Sequence, residues 1–340
     1  MNPEERKQIL SGKRAKRSRT PVKGDKGGKP DGEEVRELTW QEQTISWIKT
    51  ILGALIIVMI ANGLLIQSFV VPTESMQNEV MAGDFVFVNR FVYGGSTPQT
   101  IPFLNIPLPY IRFPGIRDPE RGDVIVFIYP GDRDQVEPDA FEYYLKRCIG
   151  VAGDVIEVRN GIAYVNGEQE ILPENVLLPP GIYNPQEVAA TNVSSAQSTF
   201  PRGAGFRRDD WGPMRIPKAG DVITLKTPED VLMWKVFIAR EGHEAGLDGH
   251  IPTIDGKAVD SYTVERDYVF GMGDNRLNSE DSRYWGFIPV ENVVGTPLIV
   301  YWSWENRKQV MTPRGTAMVE KSLGEKLGSI RWDRIFNDID

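Results

Sequence analysis

Apolar and polar positions are arranged in three different ways along this chain. Up to about residue 38 no apolar period holds, and Lys, Arg, Gly and Pro dominate with acidic residues interspersed. Such a stretch buries too little apolar surface to offset the entropy of ordering it, so residues 1–46 are expected to be a disordered tail. From Thr50 to Val71 the sequence TILGALIIVMIANGLLIQSFVV carries no charge. About 20 helical residues cross a ~30 Å hydrocarbon layer. The run therefore predicts one transmembrane helix, placed at 47–70, with Trp40 and Trp47 near its N-terminal end where indoles favour the interface. It is too long and too far from the N-terminus for a cleavable signal peptide. A buried core helix is the competing reading, and the length suits a span better.

Beyond the apolar run the period changes to that of strands. Gly-Asp followed by two apolar residues recurs at Gly83-Asp84-Phe85-Val86, Gly122-Asp123-Val124-Ile125, Gly153-Asp154-Val155-Ile156 and Gly220-Asp221-Val222-Ile223. Glycine accepts the positive φ of a turn, aspartate bonds to nearby backbone, and β-branched or aromatic residues open a strand. Four such aspartates could be metal ligands, but the same strand signal follows each. The pattern predicts a mainly β, barrel-like or sheet fold, with its main segments at 71–169 and 266–310. Stretches such as NPQEVAATNVSSAQSTFPRGAG mark 170–265 as an inserted, partly irregular β subdomain, and 311–340 reads as a C-terminal tail.

The 340 residues, with 33 Gly, 24 Pro and a net charge of −8, fit a strand-and-turn architecture and give no basic excess for nucleic acid. A single cysteine, Cys148, excludes an intrachain disulfide framework and a cysteine-rich zinc site. The two histidines, His243 and His250, lie in no metal-ligand pattern, so a Ser-His-Asp triad is poorly supplied. No metal and no cofactor are expected. Lys49 and the basic tail favour a cytoplasmic N-terminus, with Glu37 and Glu42 diluting the bias.

Three stretches could carry chemistry. PTESM, Pro72 to Met76, places Ser75 just beyond the apolar run, and a serine hydroxyl is a weak nucleophile until a base takes its proton. In FEYYLKRCIGVAGDVIEV, alternation puts Tyr144, Lys146 and Cys148 on one strand face and Leu145, Arg147 and Ile149 on the other. A lysine desolvated among apolar neighbours loses pKa and can serve as a base; a lysine that snorkels to water fits this segment too. GMGDNRLNSEDSRYWGFIP, Gly271 to Pro289, crowds Asp274, Asn275, Arg276, Asn278, Ser279, Asp281, Ser282 and Arg283 between apolar flanks. Polar groups held against a core need mutual hydrogen bonds and ion pairs.

PTESM, RGDVIVF, YYLKRCIGVAGD and GDNRLNSEDSRYWG, in this order, resemble the motifs of bacterial type I signal peptidases, the membrane-bound serine-lysine peptidases. The resemblance covers about 45–170 and 210–300. It implies a signal-peptidase-like β fold outside the cytoplasmic (inner) membrane, tethered by the single N-terminal helix, that removes signal peptides from exported preproteins. Its partners would be those signal peptides, membrane lipid and, by proximity, the secretion machinery, with no nucleic acid. Carried onto this chain, Ser75 would be the nucleophile and Lys146 the general base. The Ser75 N–H and the Thr73 hydroxyl would form the oxyanion hole. Ser279 would bond and orient Lys146, with Asp274–Arg147 and Asp281–Arg283 as supporting pairs. Phe69, Val71, Met76, Tyr144 and Leu145 would line the substrate cleft.

The chain departs from the family at Gln77–Val80, where relatives often carry a Pro-Thr-Leu-like segment. It also shows one span where many have two, and it lacks the cysteine pair of some inserted regions. A self-cleaving repressor with a similar dyad would need a DNA-binding helix-turn-helix and no span. A catalytically dead membrane-anchored scaffold would have no need of Ser75, Lys146 and Ser279 together.

Overall fold

The computed structural model describes residues 39–97, 100–101, 106–107, 111–173, 176, 199–312 and 315–339. The expected N-terminal tail lies outside these residues as far as 38. Helix α1, Trp40–Leu64, is long and apolar enough to cross a membrane, and among the described residues it is the one helix that is. It does not occupy 47–70 as expected. The end of the apolar run, Ile66–Val70, is instead strand β1, paired with β2, Asp84–Asn89. The reason lies in its two polar residues. Gln67 accepts from Arg90 at 2.7 Å and Ser68 meets the Tyr301 hydroxyl at 2.7 Å, bonds that a lipid-facing helix would not supply.

The remaining strands of the main sheet are β3, Val124–Ile128; β4, Tyr143–Gly150; β5, Tyr268–Met272; β6, Ile288–Pro289; β7, Val293–Ser303; and β8, Asn337–Asp338. Their order is β1-β2-β7-β3-β4-β5-β6 with β8 against β7, all antiparallel. Strand β7 joins the two halves. Its first residues pair with β3 and the rest with β2, with register shifts along the way. Bulges of this kind bend a strand and increase its twist. Both faces of the sheet are covered. On β3, Val124 and Val126 pack with Met76, Val80, Val86 and Val88, while Ile125 and Phe127 pack with Cys148, Val269 and Trp285.

All four Gly-Asp turns form, and they share one geometry. Gly83, Gly122, Gly153 and Gly220 have φ of +91°, +93°, +95° and +87°, values at which a side chain is strained. Each aspartate accepts the backbone N–H three residues earlier, at 2.8, 2.8, 3.0 and 3.1 Å for Asp84, Asp123, Asp154 and Asp221. Each also pairs with an arginine: Arg334, Arg117, Arg121 and Arg215 respectively.

Two domain boundaries differ from expectation. Strand 211–215 of the inserted region pairs with 155–159 of the preceding segment, because Trp211, Ile156 and Val158 share one apolar core. The insertion also contains helix α2, Pro228–Arg240, started by a Thr227–Asp230 capping box. Residues beyond 310 are not a free tail. Arg307–Thr312 and Gly315–Glu320 form a hairpin, and β8 pairs with β7.

Candidate active site

Ser75 lies on the connection between β1 and β2. The ladder continues one step past β1, with Val71 N–H donating to Asp84 at 2.9 Å and Gly83 N–H to Val71 at 2.8 Å. The chain then closes a turn: Gln77 N–H donates to Glu74 O at 3.0 Å and Val80 N–H to Met76 O at 2.8 Å. Met76 and Val80 are the apolar pins of this turn, buried at 1% and 0% exposure. The segment that departs from the family pattern is thus accommodated by burying Val80 and bonding the Gln77 amide to Asn275.

The polar stretch after β5 holds the serine from the other side. Asn275 N–H donates to Ser75 O at 3.0 Å, and the Asn275 amide donates to Glu74 O at 3.2 Å. Gly273 lets the segments approach. A Cβ there would fall 2.2 Å from Ser279 Oγ and 2.5 Å from Ser75 O, distances no side chain tolerates.

Lys146 comes from the middle of β4, opposite Ile125 of β3. Its Nζ donates to Ser75 Oγ at 2.6 Å, although the residues are 71 apart in sequence. Lys146 is 3% exposed and Ser75 9%. Burial lowers the lysine pKa to about 8; the nearby Asp281 opposes that shift and Arg283 adds to it. Arg283 donates to both Asp281 oxygens at 2.8 Å, and neither residue is exposed. Burial works against the Asp281 charge, but Arg283 holds its carboxyl below the usual carboxylate range. Arg147 on the opposite face of β4 reaches Asp274 through two bonds, at 3.0 and 2.8 Å. Burial disfavours this cation too, yet Asp274 holds its pKa above the ordinary arginine value.

Phe69, Val71, Met76, Tyr144 and Leu145 all line one cavity of about 780 Å³, together with Thr73, Ser75, Lys146 and Ser279. Thr73 Oγ1 lies 3.4 Å from Ser75 Oγ. One expected contact is not formed. Ser279 makes no hydrogen bond to Lys146; its hydroxyl faces the Glu280 carbonyl at 3.5 Å, while Lys146 donates to Ser75. Sequence reading named Asn275 only as one of the crowded polar residues, and it passed over Gly273 and the arginines behind the Ser75 turn. Arg334 donates to Glu79 O at 2.9 Å and to Asp84 at 2.7 Å, and Arg331 donates to Ala82 O at 2.7 Å. The Gly-Met-Gly-Asp run was a signal for Gly273; nothing in the sequence pointed from 331–334 to 79–84.

A neutral amine within hydrogen-bond reach of a hydroxyl, with a second hydroxyl alongside and an open cavity beyond, can support nucleophilic attack on a carbonyl. The comparisons agree with a peptidase. The family model "Signal peptidase, peptidase S26" matches residues 44–302. The chain is 26% identical over 302 residues to Signal peptidase I of Helicobacter pylori, covering 86% of this chain and 91% of that protein. It is 26% identical over 312 residues to Signal peptidase I of Pseudomonas aeruginosa, covering 88% and 87%. A signal peptidase I structure from Enterococcus faecalis aligns with 54% of this chain and 98% of its own at 20% identity, but with a TM-score of 0.25 it has no bearing on the fold. The family match over residues 44–302 makes this chain a peptidase of the bacterial type I signal peptidase family, S26.

Proposed function

We propose that this protein is a membrane-bound serine endopeptidase that removes signal peptides from exported preproteins through an acyl-enzyme intermediate. The observation that carries the reading is the 2.6 Å contact between a buried Lys146 and Ser75 at the wall of the cavity. Neutral Lys146 takes the Ser75 proton as Oγ attacks the carbonyl carbon of the residue before the cut. The carbonyl oxygen becomes an oxyanion, which the Ser75 N–H and the Thr73 hydroxyl bind. The amide C–N bond then breaks, and the Lys146 ammonium protonates the leaving amine. A water, deprotonated by Lys146, attacks the acyl ester, and the returned proton frees Ser75.

The apolar walls at Phe69, Val71, Met76, Tyr144 and Leu145 leave shallow pockets, so small side chains one and three places before the cut are selected by exclusion of larger ones. Helix α1 would anchor the enzyme in the cytoplasmic membrane with its N-terminus inside and the catalytic part outside. Its lipid environment is shared with the substrate, which raises their effective concentration beside the secretion machinery.

The test is cleavage of a labelled preprotein by the purified full chain in detergent. The parent should release the signal peptide, while Ser75→Ala and Lys146→Ala should not. Substantial cleavage by either folded variant would overturn the dyad.

A further inference from the structure

Helix α2 ends on Arg240, whose guanidinium bonds to backbone outside the inserted region. It donates to four backbone carbonyls: Gly131 at 2.9 Å, Asp132 at 2.6 Å, Gln135 at 3.1 and 2.9 Å, and Trp285 at 3.1 Å. The first three belong to the loop between β3 and β4, and the fourth closes the polar stretch that contains Ser279 and Asp281. No carboxylate forms a salt bridge with Arg240 among the described residues. A guanidinium offers five donors in a fixed planar fork, so Arg240 sets the distance between two loops rather than balancing a charge.

Three rings lie beneath this clamp. Tyr129 stacks on Tyr144 with centroids 4.3 Å apart, and Trp285 meets Tyr129 edge-on at 5.2 Å and Tyr144 at 5.5 Å. The Tyr129 hydroxyl donates to Asp132, one of the residues whose carbonyl Arg240 holds. Tyr144 lines the catalytic cavity, with its ring 5.9 Å from Lys146 Nζ.

We propose that Arg240 is a specificity-positioning residue, through which the inserted lobe fixes the Tyr129–Tyr144–Trp285 stack and thereby the shape of one wall of the peptide cleft. This rests on the cavity being that cleft. Arg240 touches neither Ser75 nor Lys146, so its influence falls on which side chains fit, and the dyad's proton transfer is left as it is.

The experiment uses the purified full chain in detergent and preprotein-derived peptides varied one and three residues before the cut, with Ser75→Ala as control. Arg240→Gln should raise KM by roughly tenfold, the scale of a misfitted apolar pocket, and admit larger side chains. The pH midpoint of kcat should stay with that of the parent. Arg240→Lys keeps the charge but not the fork, and should recover selectivity only in part. Unaltered selectivity in Arg240→Gln, a shift in its pH midpoint, or full recovery by Arg240→Lys would each overturn the proposal. If Arg240→Gln does not fold, Tyr129→Leu removes the ring stack directly and must widen selectivity in the same way, or the proposal fails. A Ser75→Ala chain that still cleaves refutes the catalytic reading by itself, whereas an inactive one with unaltered Arg240→Gln selectivity refutes only the role of Arg240.

Discussion

Lys146 and Arg147 are neighbours on one strand, both buried, and the protein treats them in opposite ways. Arg147 is 2% exposed and clamped by Asp274. Lys146 is 3% exposed and has a neutral hydroxyl as its hydrogen-bond partner. Three carboxylates lie close enough to influence Lys146; the two buried ones are committed, Asp281 to Arg283 and Asp274 to Arg147, and the third, Glu280, is exposed. Had either buried carboxylate bonded the lysine, its pKa would have risen and the free base been lost. A basic amine is therefore obtained by assigning the buried anions to arginines, which remain charged at any relevant pH.

The largest effect expected is on the lysine itself. Lys146→Ala should leave no cleavage above background, whereas Arg147→Leu should retain the dyad and lose stability by roughly 3–5 kcal/mol, because it strands a buried Asp274 charge. Preprotein cleavage together with equilibrium unfolding separates the two. If Arg147→Leu is as inactive as Lys146→Ala while fully folded, the two faces of the strand do not have separate tasks.

A smaller effect is expected at Thr73. Thr73→Val keeps shape and deletes the hydroxyl, and kcat should fall by ~10²–10³, the usual loss for one oxyanion donor. Steady-state kinetics that showed a higher KM with kcat intact would make Thr73 a ground-state contact instead.

The pH dependence sharpens the contrast further. With a folded pKa of about 8, Lys146 should give a kcat/KM that rises with pH and levels off above that value. For stability the sign runs against the fold. Above the unfolded pKa the lysine is neutral in both states and carries no penalty; between the two pKa values the penalty grows as pH falls, and below about 8 it is constant. The shift from 10.5 to about 8 corresponds to about 3 kcal/mol. Lys146→Met should therefore be inactive and more stable than the parent near pH 6. A clearly less stable Lys146→Met in equilibrium unfolding would identify a charged structural lysine.

The smallest effect belongs to Ser279. Since it does not bond Lys146, Ser279→Ala should keep a kcat within a few-fold of the parent in steady-state kinetics. A parent-like kcat would remove Ser279 from the mechanism.

What the sequence made legible follows from how local each signal is. The Gly-Asp turns were readable because each uses a glycine φ and a bond spanning three residues. Ser75 and Lys146 could be placed through the family motifs, and alternation put Lys146 on the Tyr144 face. Their 2.6 Å contact, however, depends on β1, β4 and β5 coming together. Ile66–Val70 read as helix because composition cannot show that Gln67 and Ser68 find partners across the sheet. Helix α2 was missed among loop-like neighbours, although Thr-Pro-Glu-Asp at 227–230 is a capping signal. The terminal strand and its arginines left no local trace, since their partners lie far away in the chain.

That distance has a consequence for timing. The turn behind Ser75 is held by Arg334, whose partner Asp84 is 250 residues away. Loop closure of that span slows folding, because ordering precedes the reward of contact. A ribosome makes Ser75 well before Arg334, which follows it far along the chain. The turn that carries Ser75 therefore acquires this backing only after Arg334 has been made. Until then the young polypeptide lacks the bonds from Arg334 to Glu79 and Asp84 that back this turn.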